Sequence, residues 1–349
     1  MRRGRSPSGL LNDSAYAGRK PRRHENVRGL KPAATYHRDP LEPMKNARSW
    51  TIAGIGETAF RALSETLPPS ALWSLLMEVF AKRAAQRTIG SLAEQWERDG
   101  FTRPAPVDQR TLVALDAHLL AAADRYDAVE LSPLAPLGVC SVVAPASQHK
   151  IVSALRGTEV VSDPTNVLAL ECARRLRADP RAVVRLATCH RCVRAQPVPP
   201  HPGFAPHFRI FCLATAGHEQ KDQATVRDAL VDQITTHLAA LDRLEEHGYA
   251  FPDRRLTVLA TPERAELADR IARAVHVDDV RRDVLTHHYY EGLRFMISLA
   301  GHEGEAIPLV DGGAFDWVGK LMSNGKMVFV ASGMGSQLIA YAYRGRGQE

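Results

Sequence analysis

"AVVRLATCHRCVRAQPVPPHPGFAPHFRIFCLATAG", residues 182–217, decides how this chain is read. Its two flanks alternate apolar and polar residues, and the stretch between them is rich in proline. Alternation has the period of a strand and proline marks a loop, so the stretch predicts a long-looped β-hairpin. Two chemistries share its first strand. Cys189 and Cys192 form a C-x-x-C enclosing His190, and the loop adds His201 and His207. A structural zinc needs four N/S ligands, and no second C-x-x-C exists. Residues 189 and 192 of one strand point to opposite faces, a poor geometry for sharing an ion. No C-x-x-C opens a helix in a βαβ setting, as a redox motif would. No metal is assigned, and buried or idle thiols are the expectation. The same strand carries Arg194 and Gln196, two apart and so on one face. The return strand carries His207 and Arg209, again two apart. Together the four would form one cationic patch for phosphate or carboxylate, which a guanidinium engages through paired donors. A salt-bridged or solvent-facing sheet surface explains the same spacing.

Outward from the hairpin, "KIVSALRGTEVVSD" reads as strand, Arg-Gly turn, strand. "PTNVLALECARRLRADP" reads as a helix with Asp163 and Thr165 at its start, where side-chain oxygens cap free N–H groups. Downstream, 222–248 gives an amphipathic helix ending at Gly248, "RLTVLA" a strand, and "PERAELADRIARAV" a helix with Pro262 in its first turn. "GLRFMISLA", "GEAIPLVDGG" and "KMVFVASGMG" are three further strands, the last two separated by "FDWVGKLMSN". "GSQLIAYAYRG" is a closing helix. Upstream, Ile55 to Trp96 is helical, with Leu72, Leu75, Leu76, Val79 and Phe80 on one stripe and a restart at Pro68 and Pro69; residues 110–125 form another helix. Strands joined mostly by hairpins with helices interspersed give an α+β fold around an antiparallel sheet, not a doubly wound one.

Composition bounds the rest. The 349 residues carry a net charge of +6, placed unevenly. Residues 1–48 hold 12 Lys/Arg against 4 Asp/Glu, and the remainder 33 against 35. The organisation expected is therefore a disordered basic tail (1–48), a helical segment (49–124) and a core (125–349). The tail is either a solvated extension or an electrostatic contact for RNA. Five cysteines are too few and too irregular for a disulfide framework. No apolar run approaches the ~20 residues that cross a bilayer, and the start lacks a secretory core. A cytoplasmic protein without membrane contact is expected.

Other candidate groups are individually weak. "THHYYEGLRF" sets Tyr289 and Tyr290 before a strand, and adjacent strand residues face opposite sides, so one at most would line a given pocket. "LVDGGAFDW" sets Gly312 and Gly313 between Asp311 and Asp316, where paired glycines admit a ligand's close approach or simply a turn. "ASGMGSQL" holds a Gly-x-Gly that could cradle an anion. No Walker loop, serine elbow, H-E-x-x-H or dinucleotide fingerprint is present.

The order of these pieces is more specific than any one of them. "VVSDPTNVLALE", "CVRAQ-loop-HFRIF", "HHYYEGLRF", "DGGAFDW" and "ASGMGSQL" in succession resemble the core of class II aminoacyl-tRNA synthetases. The match is nearest the histidyl-tRNA synthetase branch, which includes the regulatory subunit of ATP phosphoribosyltransferase. The resemblance spans about 125–345. It implies an antiparallel class II sheet flanked by helices, and a homodimer with Thr165 to Arg177 near its interface. Arg194 would take the motif 2 arginine's place on the α-phosphate of ATP, with Gln196 where the family has Glu. Asp163 and Thr165 would stand for the family's ammonium-binding Glu and its Thr, Tyr289 and Tyr290 for its Tyr-Tyr, and Gly312, Gly313 and Asp316 for its Gly-Gly-Arg-Tyr-Asp, whose Arg is lost to Ala314.

The departures from the family pattern bear on activity. Motif 3's Glu-Arg becomes Gln337 and Leu338, and the catalytic Arg before the Tyr pair becomes Leu285. The histidine-reading Gln and Glu fall near Leu213 and Gly217. Two cations that would stabilise phosphate charge are missing, each worth several kcal/mol in a transition state. ATP with Mg²⁺ is the cofactor the family implies, and these losses count against it. The chain ends about ten residues after motif 3, so no anticodon-binding domain is expected and tRNA is not an expected partner. Three readings follow. The first is a non-charging paralogue that binds a small amino-acid-like or nucleotide-like ligand as a regulatory or accessory subunit, with a protein partner if regulatory. The second is an ATP-dependent ligase or transferase whose site is rebuilt from Gln196, His207, Arg209, Glu159 and Asp311. The third is an RNA-binding protein using the tail.

Overall fold

The computed structural model describes residues 49, 51–198, 204–300 and 306–344. The basic stretch 1–48 and His201 lie outside the described residues, and with them the reading of the tail as disordered or RNA-binding. The chain divides between Thr66 and Leu67 into two compact units. In the first, a short helix α1 spans Glu57–Arg61. The second opens with α2 (Pro69–Ala85), whose restart follows from Pro at its first position, and α3 (Ile89–Arg98). Thr88 and Ser91 close a reciprocal capping box on α3. Helix α4 (Gln109–Ala122) is capped by Asp108.

Strands β1 (Asp127–Ala128), β2 (Leu134–Pro136), β3 (Ser153–Ala154) and β4 (Thr158–Val160) are short. The last two flank the expected Arg-Gly turn, a three-residue connection between the paired Ala154 and Thr158 in which Arg156 and Gly157 both take positive φ. Helix α5 (Pro164–Ala178) leads into the hairpin β5 (Val184–Val193) and β6 (His207–His218). After α6 (Ala224–Glu245) come β7 (Arg255–Ala260), α7 (Ala265–Ala274) and β8 (Asp279–Val284). The chain finishes β9 (Leu293–Ala300), β10 (Ala306–Phe315), α8 (Trp317–Leu321), β11 (Met327–Met334) and α9 (Ser336–Ala342).

Eight strands form one sheet in the order β1-β5-β6-β11-β10-β9-β7-β8, and β2-β4-β3 form a small second sheet. All pairings in the large sheet are antiparallel except β1–β5 and β7–β8 at its two edges. The α+β expectation holds. Alternation along the hairpin sorts its side chains between two cores. Ala187, Cys189, Phe211 and Leu213 pack with α4, α6, α7 and α9. Leu186, Cys212, Ala214 and Ala216 face the other way, onto α5 and α8.

Three sequence readings need correction. The first strand of the hairpin stops at Val193, so Arg194 and Gln196 leave the ladder and the rule that places i and i+2 on one face does not apply to them. Gly312 and Gly313 sit inside β10, not in a turn. Strand β8 was not expected: its residues are DVRRDV and mostly exposed, because an edge strand carries charge rather than an apolar face.

Candidate functional site

A cavity of about 620 Å³ opens where α5, the end of β5, the turn before β9, and strands β10 and β11 converge. Of the residues singled out from sequence, Asp163, Thr165, Arg194, Gln196, Arg209, Tyr289, Tyr290, Asp311 and Gly312 line it. Asp163 is the N-cap of α5, and its Oδ1 accepts from Thr165 N (3.0 Å) and Thr165 Oγ1 (2.7 Å). The other carboxylate oxygen lies 3.7 Å from the Arg194 guanidinium. Arg194 also donates through Nε to the Ser162 carbonyl (3.0 Å) and lies over the Phe208 ring, 5.1 Å from its centroid. The helix cap therefore fixes the acid, and the acid and a backbone carbonyl aim the cation.

The opposite wall is aromatic. Tyr289 and Tyr290 occupy the turn before β9 rather than the strand, so strand alternation does not separate them. Their rings meet edge to face at 5.0 Å, backed by Phe315, Trp317 and Phe329. Tyr290 donates to Asp311 Oδ1 (2.8 Å), and Arg294 grips the same carboxylate through Nε (2.9 Å) and a terminal nitrogen (2.8 Å). Burial pushes the Tyr289 hydroxyl above its usual range, with Asp163 next in effect, Cys140 and Asp311 adding to it and Arg194 opposing. These groups thus share one electrostatic environment. Burial, followed by Asp311, raises Tyr290 as well.

Five candidates are placed differently from expectation. His207 does not line the cavity: its Nδ1 faces an Arg191 terminal nitrogen at 2.9 Å and its Nε2 the Arg103 carbonyl at 2.7 Å. Arginine can only donate, so Nδ1 accepts and Nε2–H donates to the carbonyl. Arg209 borders the cavity, but Asp116 of α4 holds its guanidinium. The four-residue cationic patch on the hairpin therefore does not form. Asp316 pairs with Lys320 (2.7 Å) and lines a separate cavity of about 440 Å³. Gly313 serves packing: a Cβ there would stand 2.3 Å from the Leu293 carbonyl and 2.5 Å from the Tyr290 ring. Glu159 also lies apart, its buried carboxylate accepting from Gly138 N, Cys140 N and Gln148 Nε2. Of the five groups of a rebuilt ligase site, Gln196, Arg209 and Asp311 line the cavity, whereas His207 and Glu159 do not.

The cavity also holds groups that pattern reading missed. Lys150 lines it and makes no ion pair among the described residues. Arg294 had a legible signal, as the one charged residue within an otherwise apolar strand. Asn166 and Gln337 are each 1 % exposed and line the cavity. Each leaves one side-chain atom, Asn166 Oδ1 and Gln337 Nε2, without a partner among the described residues. Cys189 and Cys192 behave as expected of opposite faces, one in the main core and the other beside Val139 and Val161. Burial raises both thiols, which makes them poor ligands and nucleophiles.

No family model matches the chain, and no curated protein matches it. Solved structures do. A histidine–tRNA ligase subunit from Alicyclobacillus acidocaldarius superposes with a TM-score of 0.51 at 14% identity, covering 69% of this chain and 95% of that one. An ATP phosphoribosyltransferase regulatory subunit/histidyl-tRNA synthetase from Bacillus halodurans gives 0.50 at 15% identity, over 69% and 83%. A putative threonyl-tRNA synthetase from Aeropyrum pernix gives 0.52 at 13%, over 66% and 59%. The core is a class II synthetase fold. The resemblance set the β5–β6 hairpin against motif 2 and β11–α9 against motif 3, and residues of both stretches line the cavity. Leu285 and Leu338 are the residues that the sequence resemblance sets against arginines of the class II pattern. Leu285 is buried and Leu338 lines the cavity.

Proposed function

We propose that this chain is a class II synthetase paralogue that does not charge tRNA and binds a small amino-acid-like or nucleotide-like ligand in the 620 Å³ cavity, acting as a regulatory or accessory subunit. One observation supports the reading: Asp163 and Arg194 face each other in a cavity that the tyrosine pair also lines, while leucines, Leu285 and Leu338, stand at the two positions where the resemblance expects arginines for phosphoryl chemistry. Arg294 does not replace them, because its Nε and one terminal nitrogen are bonded to Asp311 and it does not line the cavity. A site that binds without stabilising pentavalent phosphate lowers no barrier. The regulatory role takes its precedent from the Bacillus halodurans neighbour, an ATP phosphoribosyltransferase regulatory subunit/histidyl-tRNA synthetase. A homodimer, a protein partner for the regulatory role and a cytoplasmic location belong to the same proposal.

The test is calorimetry with the twenty amino acids, ATP and phosphoribosyl compounds, alongside pyrophosphate release from ATP. The expected result is binding of at least one compound, weakened tenfold or more in R194A, with no pyrophosphate released. Silence across the binding panel, or pyrophosphate release with any amino acid, sinks the proposal.

A further inference from the structure

Gln337 opens α9 at the edge of the cavity, with 1 % of its surface exposed. Its Oε1 accepts from an Arg191 terminal nitrogen at 3.2 Å. That contact fixes the orientation of the amide, because a guanidinium has only donors and must meet the oxygen. Nε2, a donor, is thereby turned away from Arg191, and it is buried without a partner among the described residues. A buried donor left unmade costs about 1–3 kcal/mol, so native proteins rarely leave one without a use.

The surrounding charge says what would complete it. Arg191 and Arg209 are directly opposite each other on β5 and β6. Asp116 holds Arg209, and Arg191 makes no ion pair among the described residues. Burial, and after it the neighbouring Arg209, hold the Arg191 guanidinium below its usual value. In the cavity wall Arg194 faces Asp163 and Asp311 is held by Arg294 from behind it, and Lys150 makes no ion pair among the described residues. Among the described residues the cavity wall therefore carries one cation without a carboxylate, Lys150, and a residue with an unused N–H donor, Gln337, whose amide oxygen is held by a further unpaired cation, Arg191.

We infer that Gln337 is a specificity-determining residue whose Nε2 donates to an anionic oxygen, carboxylate or phosphate, of the bound ligand, with Arg191 as the positioning residue that aims it. The inference rests on the proposed reading of the cavity as a ligand site and names the chemistry it selects. A carboxylate at position 337 would also pair with Arg191 but would present an acceptor to the cavity and repel an anion, so the neutral amide is the informative choice.

The experiment uses the full chain with inorganic phosphate and, separately, acetate as probes, read by calorimetry and by melting temperature. Wild type is expected to bind one of the two, and which one separates a phosphate from a carboxylate source. Q337L is expected to weaken binding about tenfold and Q337E at least a hundredfold. The melting temperature of Q337E should hold or rise, because the new carboxylate faces Arg191. Should Q337E fail to fold, Q337L decides alone. Neither anion binding, or Q337L binding within twofold of wild type, overturns the inference. A panel ligand that binds wild type and Q337L alike leaves the ligand-site reading standing and removes only this one. Anion binding lost in Q337L with a silent panel does the reverse.

Discussion

Lowering the pH from 7 to 5 will destabilise this protein by about 2 kcal/mol through a single side chain, His237. The residue is fully buried on α6, between Phe211 and Phe295 and behind the strand that floors the cavity. Ser332 Oγ donates to Gln233 Oε1 (2.7 Å), so its contact with His237 Nε2 (2.8 Å) must be an N–H donated by the ring. Gln233 Nε2 in turn bonds the Val330 carbonyl (3.0 Å). The neutral ring thus fits a closed network, and a second proton would go to Nδ1, which is buried with no partner among the described residues. Burial lowers the folded-state pKa to about 3 from 6.5. The folded state then resists protonation while the unfolded state accepts it. Stability is unaffected above about pH 6.5 and falls as the pH drops from there toward 3. At pH 5 the unfolded imidazole has gained roughly 1.5 pK units of protonation free energy, near 2 kcal/mol. Carboxylates titrate in the same range, so the assay is a difference: urea unfolding of wild type and H237Q at pH 7 and pH 5, the Gln retaining a donor for Ser332. Wild type should lose about 2 kcal/mol more than the variant between the two values. A double difference below about 0.5 kcal/mol would show that the ring is solvated or partnered when charged, and the burial argument would be wrong.

Two further substitutions probe how the cavity is built. G313A places a methyl against the Leu293 carbonyl and the Tyr290 ring, so Tyr290 must give up Asp311 or β9 must shift; the expected cost in chemical denaturation is about 2–4 kcal/mol, and a loss under 0.5 would show that the wall yields freely. D163A removes the cap of α5 and the acid facing Arg194, and should cost about 1 kcal/mol, whereas D163N, which keeps an N-capping oxygen, should recover most of it.

The hairpin at residues 182–217 was legible because its alternation and proline loop are local signals, and so were the cap of α5 and the Arg-Gly turn. Strand β8 was not, since edge position replaces an apolar stripe with charge. For the site, the order of motifs pointed to Asp163, Arg194 and the two tyrosines, and the cavity contains all four. Spacing within the hairpin misplaced His207 and Arg209, because periodicity gives the face of a strand but not the partner waiting there. Arg191 and Asp116 took those two side chains. It also could not tell that Gly313 is small because Tyr290 lies on it.

By itself, then, the sequence determined most of the elements and their α+β arrangement, which depend on residue identity and near neighbours along the chain, and it suggested, through the resemblance, leucines in place of arginines at 285 and 338. Tertiary structure decided which charges remain available. Arg294 is spent on Asp311 from the adjacent strand, Arg209 on a helix over ninety residues upstream, and Gln337 is turned by an arginine two strands away. Each outcome depends on contacts between segments distant in sequence, which fix whether a polar group meets a ligand or another part of the chain.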